Sequence, residues 1–436
     1  MSRGRPLGDV HIAAGAGFSN DRRELGEIAA QSLTLFEGHR YLIFECLAER
    51  TLALAQDEND RRRQVERAIS YLEACINTCI LNDIKIISNF GGSAPKQVAK
   101  AIAGFLKQHN LRRKIGYVLG DELPVGETEH GGRAISRNAY IGANGIVEAL
   151  DAGADIVVTG RVADPSLVVG PVAFEHDLKW IDWNRLAQAT LAGHLIECGT
   201  QVCGGYFADT GAKQVPGLTR IGAPVASVAR GHDRLKISKP LGGGVLTTAT
   251  VTEQLLYEIH DPARYLTPDV AMDISDVSMQ QTGTHEVTLI GCVGHARPDW
   301  LKTLTCVDEG WIGEGEISYM GDTCLDRAQM ARSILKQRLE TIAPSADPHF
   351  DIIGSMYDET ESNAGRPRDV RLRMAVASAD RHQARALLDE VEALYLNGPA
   401  GGGGIRLNIS ARTATVSGAV RQNEAVSHGF LLEDTQ

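Results

Sequence analysis

A chain of 436 residues, 43% of them apolar, can bury a large core and divide into two or three domains. Its net charge of −11 argues against nucleic acid or an anionic membrane surface as the main partner, because both need concentrated positive charge. Eight widely spaced cysteines, no apolar leader core and no run approaching a membrane span lead us to expect reduced thiols and a cytoplasmic protein.

Residues 9–14 read as a strand, followed by a loop of small residues through Gly15, Gly17, Ser19 and Asp21 that lets backbone amides approach a ligand. The Gly-x-Gly lacks the third glycine of a dinucleotide fingerprint and puts Asp21 where a pyrophosphate would lie, which disfavours a Rossmann site. A helix over 22–35 follows. The second strand, 41–44, delivers Glu45, with Glu49 and Arg50 just beyond. A carboxylate at a strand tip is costly to bury without a cation or a proton, so Glu45 is a candidate acid/base group. Pairing of Glu45 or Glu49 with an arginine as scaffold is the plainer alternative. Cys75 and Cys79 fall in an amphipathic helix over 65–81 and are expected to pack its core rather than bind metal.

The third strand, 84–88, runs into Asn89, Gly91 and Gly92, where paired glycines permit a turn or an anion nest. A fourth, 114–119, ends at Gly120 and Asp121. The fifth, 156–158, ends in Thr159-Gly160-Arg161 and then Asp164-Pro165-Ser166. Strands near 10, 42, 85, 115 and 156 with helices between predict a mostly parallel, doubly wound, Rossmann-like α/β sheet within residues 1–215. Ligands bind such sheets at the carboxyl ends of the strands, which makes Arg161 a candidate clamp for a carboxylate or enolate.

Residues 216–436 predict a second, smaller α/β or α+β domain. Just before it, His194 and Glu197 stand three apart on one helical face, a spacing suited to an acid/base pair or to two metal ligands; mutual satisfaction at a helix end is the alternative. Lys239 with Gly242, Gly243 and Gly244, ahead of a helix at 250–258, forms a candidate anion site, although the G-x-x-x-x-G-K-[ST] pattern is absent. Gly402, Gly403 and Arg406, after a strand at 369–377 and a helix at 380–396, form another. Asp21, Asp121 and Asp164 are candidate ligands of a divalent cation, for which oxygen donors favour magnesium or manganese over zinc.

Six blocks taken in order resemble the acyclic terpene utilisation protein A family over residues 8–410: Gly-Ala-Gly-Phe-Ser-Asn-Asp-Arg at 15–22, Phe-Glu-Cys-Leu-Ala-Glu-Arg-Thr at 44–51, Thr-Gly-Arg-Val-Ala-Asp-Pro-Ser at 159–166, Gly-His-Leu-Ile-Glu-Cys-Gly at 193–199, Leu-Leu-Tyr-Glu-Ile at 255–259 and Gly-Pro-Ala-Gly-Gly-Gly-Gly at 398–404. The resemblance implies catabolism of branched acids through coenzyme A thioesters, with a lyase or hydration step. Many members end in an additional small ferredoxin-like domain that this chain stops before, which implies a separate small partner subunit of that fold.

The leading expectation is a lyase, adding or removing water or cleaving a carbon–carbon bond in a small branched hydroxy or unsaturated acid, free or as a coenzyme A thioester. Glu45, His194 and Glu197 would move protons; Arg161, Lys239 and the glycine loops would hold the developing enolate. Two other classes compete: a non-catalytic acyl-coenzyme A or nucleotide-binding subunit that acts with a small partner, and an NAD(P)-dependent oxidoreductase built on the Gly15–Gly17 loop. A homo-oligomer is expected on size and class.

Overall fold

The computed structural model describes residues 8–47, 58–125, 133–355, 367–422 and 429–433. They fall into two compact units, one drawn from 1–126, 135–305 and 415–436 and the other from 127–134 and 306–414. The chain therefore does not part at residue 215. The strands at 225–238 and 278–290 place their backbone hydrogen bonds in the first unit's large sheet, and this ties them to it.

In the first unit the five expected strands form at the expected places: β1 (Val10–Ala16), β2 (His39–Phe44), β3 (Lys85–Ser88), β4 (Ile115–Leu119) and, after β5 (Arg133–Ala139), β6 (Ile156–Thr159). They pair in parallel in the order β1-β2-β3-β6-β4. Beyond β1 the sheet continues antiparallel through β7 (Val225–Val228), β8 (Leu235–Ser238), β12 (Glu286–Ile290) and β11 (Ser278–Gly283); β18 (Gly429–Glu433) lies antiparallel to β4. Four parallel and five antiparallel ladders make this a mixed sheet, which corrects the expectation of a mostly parallel, Rossmann-like one. The physical reason is connection length: β7 and β8 are joined by a short hairpin, whereas a parallel return needs a crossover of a dozen residues or more.

The winding on both faces holds. Along β2, Leu42 and Phe44 face a core shared with α1 (Glu24–Leu33), α2 (Glu58–Leu81) and α3 (Pro95–Gln108). Tyr41 and Ile43 face the opposite core, built with α4 (Asn144–Asp151), α5 (Ser166–His176) and α6 (Trp183–Ile196). Strands buried on both faces read as continuous apolar runs, which is why they were visible in the sequence. After β3 the chain leaves for α3 on one face; after β6 it leaves for α5 on the other. The adjacent tips of β3 and β6 thus form the crevice at which open sheets bind ligands.

Every residue of α6 from Leu186 to Ile196 is buried, so the helix is a central strut that carries His194 into the interior. It packs in the same core as Val251 and Leu255 of α7 (Thr248–Leu256), whose start is fixed by a reciprocal Thr247–Thr250 capping box. Beside them lies a three-stranded sheet, β13 (Val293–His295), β10 (Ala271–Asp273) and β9 (Tyr265–Leu266).

The second unit takes residues 306–320 of β14 (Trp300–Met320), then α8 (Cys324–Ile342), β15 (His349–Ile353), β16 (Asp369–Ser378), α9 (Arg381–Asn397) and β17 (Gly403–Arg421) up to residue 414. Its order β15-β16-β14-β17 is that of the split βαβ, or ferredoxin-like, arrangement. Cys324, Ala328, Ala331, Leu335 and Leu339 recur at helical spacing along α8, and that stripe seals the sheet's apolar face. The expected smaller α+β part of the chain is therefore present, with different limits.

Candidate functional site

The strand tips of the first unit open onto a cavity of about 1980 Å³. Glu45, at the end of β2, lines it and is almost fully buried. Its Oε1 accepts hydrogen bonds from Asn89 Nδ2 at 2.8 Å and from the Leu47 amide at 2.9 Å. Asn89 in turn accepts from the Cys46 amide at 2.7 Å, so the tips of β2 and β3 fix the carboxyl between them. Burial pushes Glu45 up to about 8, with a further push from the charge of Asp164; Arg161 and these hydrogen bonds oppose the shift. Glu49 and Arg50, weighed as its partners, lie outside the described residues.

Arg161 also lines the cavity but is 1% exposed. Its Nε donates to the Val162 carbonyl at 2.8 Å, and its two Nη atoms donate to the carbonyls of Leu47 and Val162 and to Asp164. Among the described residues four of its five N–H groups are thereby engaged, and one on Nη1 remains. A bidentate clamp on substrate is excluded by that commitment. Arg161 is instead a fixed cation under the cavity floor, lying 4.5 Å from the centroid of Tyr140, whose ring Lys302 also faces at 4.9 Å.

Glu197 follows α6 and lines the cavity; one carboxyl oxygen meets His194 Nδ1 at 3.1 Å, and the other is buried with no hydrogen-bond partner among the described residues. On its other side, His194 Nε2 meets the Leu255 carbonyl at 3.1 Å. Burial pushes Glu197 well above the ordinary carboxyl range and His194 below the ordinary imidazole range. These directions assign one arrangement. A carbonyl can only accept, so Nε2 carries the proton; Nδ1 then accepts from the protonated Glu197. His194 does not border the cavity, and this corrects its expected role: it orients Glu197 from behind instead of meeting substrate.

The remaining expected site residues separate into groups. Gly17 lines the cavity, but a Cβ there would sit 2.2 Å from the Cys198 carbonyl carbon, and its amide is taken by Asp21 at 3.0 Å. A Cβ on Gly15 would lie 2.6 Å from Phe44, so that glycine makes room for a core ring. Ser19 is half-buried in the same turn without bordering the cavity. Gly91 and Gly92 give way to Thr159, Pro95 and Gln64 of the chain itself. Lys239 is buried with Nζ on the Gly242 carbonyl at 3.0 Å, while Gly242, Gly243 and Gly244 press against Gly222, Gly217 and Cys203. The anion site expected there is thus filled by backbone. Gly402, Gly403 and Arg406 belong to the second unit, at the start of β17, and are not part of this cavity.

The three aspartates are not gathered. Asp21 binds the amides of Gly17 and Arg22, and Asp164 pairs with Arg161. Asp121 is raised to about 6, chiefly by burial, and holds the Arg161 amide at 2.9 Å and Asn138 Nδ2 at 2.9 Å. Among the described residues no group of three or more His, Cys, Asp and Glu side chains is placed to hold a metal ion.

The cavity also draws on Tyr257 and Glu258, which the sequence marked only as part of the 255–259 block and gave no role, and on Tyr265 and Tyr206, which it did not mark. Glu258 and Tyr206 have φ values of 60° and 61°, in the left-handed region that ordinary side chains avoid. Such backbone costs about 1–3 kcal/mol per residue and tends to gather at working sites. A lone tyrosine such as Tyr206 in a loop carries no local pattern that would have revealed it.

A family model described as acyclic terpene utilisation family protein AtuA matches residues 10–430. The chain belongs to that family. Its description places AtuA-family members in acyclic terpene utilisation, a catabolic setting. No curated protein matches the sequence. Among solved structures, a hydantoinase/carbamoylase family amidase from Burkholderia ambifaria is similar at 14% identity, with a TM-score of 0.19, over 24% of this chain and 29% of that one. So slight a likeness bears on neither fold nor chemistry. No helix among the described residues of this AtuA-family chain is long and apolar enough to cross a membrane.

Proposed function

We propose that this AtuA-family chain is a lyase that adds or removes water, or cleaves a carbon–carbon bond, at a small branched hydroxy or unsaturated carboxylic acid, free or as a thioester. The observation that carries the reading is the pair Glu45 and Glu197: two carboxyls buried at one cavity, both held protonated beyond the ordinary range by desolvation. Removing a proton beside a carbonyl while protonating a leaving hydroxyl needs two such groups with separated affinities. Glu45, closest to neutrality, takes the base role. Glu197 takes the acid role: its partnerless oxygen is the one open to substrate, and the carboxyl proton, held at rest on the oxygen facing His194 Nδ1, shifts to it for the transfer. The unengaged Nη1–H of Arg161 and the charge it shares with Asp164 support the developing enolate.

Deuterium exchange at the α-carbon of a branched 3-hydroxy acid and its 2,3-unsaturated partner, each tried free and as a thioester, tests the assignment. Glu45→Gln is expected to slow exchange by about 10²–10⁴-fold. Undiminished exchange in that variant would remove Glu45 from the mechanism. A second reading, a binding subunit that works with a small partner, is favoured by one observation: Arg161 spends four N–H groups on the protein itself, as a scaffold residue would.

A further inference from the structure

A second cavity, of about 630 Å³, shares no lining residue with the first. Its size falls within the ~300–1,000 Å³ that encloses a small ligand. α3 packs with β4 in the core that holds Val98, Ile102, Ile115 and Tyr117, so the start of the helix and the exit of the strand border one opening. Their charges are opposite. Lys96 and Lys100 stand one turn apart on α3, Asp121 and Glu122 follow β4, and all four border the cavity. Among the described residues neither lysine is within ion-pair distance of a carboxylate, so unlike charges share the cavity without meeting. Pro95 and Leu119 add apolar surface to the lining.

Two further observations point to a ligand. Ala94, at the N-cap of α3, has no side-chain acceptor, which leaves the positive end of the helix dipole open to an anion. Asp121 is 2% exposed, yet both hydrogen bonds that reach its carboxyl from other residues enter at Oδ2, from Asn138 Nδ2 and the Arg161 amide; among the described residues Oδ1 has none. A buried carboxylate oxygen in that position is costly until a donor meets it. We infer that this cavity binds a zwitterionic α-amino acid with an apolar side chain: its carboxylate at Lys96, Lys100 and the start of α3, its ammonium at Asp121 and Glu122, and its side chain against Pro95 and Leu119. A simple anion would meet two carboxyls and a simple amine two lysines, whereas a ligand with both charges satisfies both sides. The site lies apart from Glu45 and Glu197 and does not depend on the reaction proposed there.

Calorimetric titration of the full chain with norvaline, pentanoate and butylamine tests it, since the last two each lack one of norvaline's charges. Wild type is expected to bind norvaline about tenfold or more tightly than either, as charge-assisted contacts at both ends require. The double substitution Lys96→Gln with Lys100→Gln should weaken norvaline by about tenfold and leave butylamine no weaker. Glu122→Gln should weaken norvaline and leave pentanoate no weaker. These three side chains are exposed, so an unaltered thermal melt will show that the variants are folded. No binding of norvaline by wild type at millimolar concentration, or equal binding by either variant, overturns the inference. Pentanoate bound as tightly as norvaline also overturns it, by reducing the site to a patch for any anion. None of these results depends on turnover, and deuterium exchange does not need this cavity, so the two proposals fail separately.

Discussion

Replacing Glu45 by Gln keeps the size of the side chain and an oxygen to accept from Asn89 and Leu47, but removes the proton equilibrium. The structure supplies the magnitude. A carboxyl moved from 4.5 to about 8 by burial and by Asp164 represents about 5 kcal/mol, at about 1.4 kcal/mol per pH unit. The sign follows from the raised affinity. Below pH 4.5 the folded and unfolded chains are both protonated at this position; as pH rises from 4.5 to about 8 the unfolded chain ionises first, so folded stability falls across that window and levels above it. The Glu45→Gln chain lacks this slope. The gap in urea midpoint between variant and wild type is therefore expected to widen from pH 5 to pH 8 and then hold, by up to about 5 kcal/mol and less where Arg161 and Asp164 share the shift. Other titrating groups cancel in the comparison. A carboxyl carbon-13 resonance of Glu45 moving near pH 8 would report the same event directly. Parallel stability curves for the two chains, with that resonance titrating near 4.5, would refute the claim that burial raises Glu45 toward neutrality, and with it the reason for choosing it as the base.

Two further outcomes follow from the packing. Gly17→Ala must displace backbone, because the new Cβ would meet the Cys198 carbonyl at 2.2 Å; a thermal melt should show a loss of about 1–3 kcal/mol, and exchange activity should fall because Glu197 adjoins the displaced segment. Lys239→Met leaves the Gly242 carbonyl without its donor and should cost about 1–3 kcal/mol of stability in urea while kcat/KM is unchanged; a selective rise in KM would restore Lys239 as a substrate contact.

The parallel strands and the burial of Glu45 at a strand tip were legible because each depends on local chemistry: an apolar β-branched run, then a polar residue where burial is expensive. The His194–Glu197 pair was legible too, since helical spacing sets it. Which member faces the cavity was not, because that depends on the carbonyl of Leu255, 61 residues away, against the far side of the imidazole. Glycine runs misled for a general reason. Glycine permits close approach but does not say what approaches, and at Gly242, Gly243 and Gly244 it is other backbone. The antiparallel extension from β7 to β11 was hidden because its strands are short and their partners are set by the β7–β8 and β11–β12 hairpins and by the long-range β8–β12 pairing, not by composition.

At the crevice between β3 and β6, the two loops depart for different helical layers, one with α1 to α3 and the other with α4 to α6. Those layers touch a common sheet but are otherwise packed separately. An occupant wedged where the loops diverge would act as a cross-brace, turning local grip into stiffness felt on either side of the molecule.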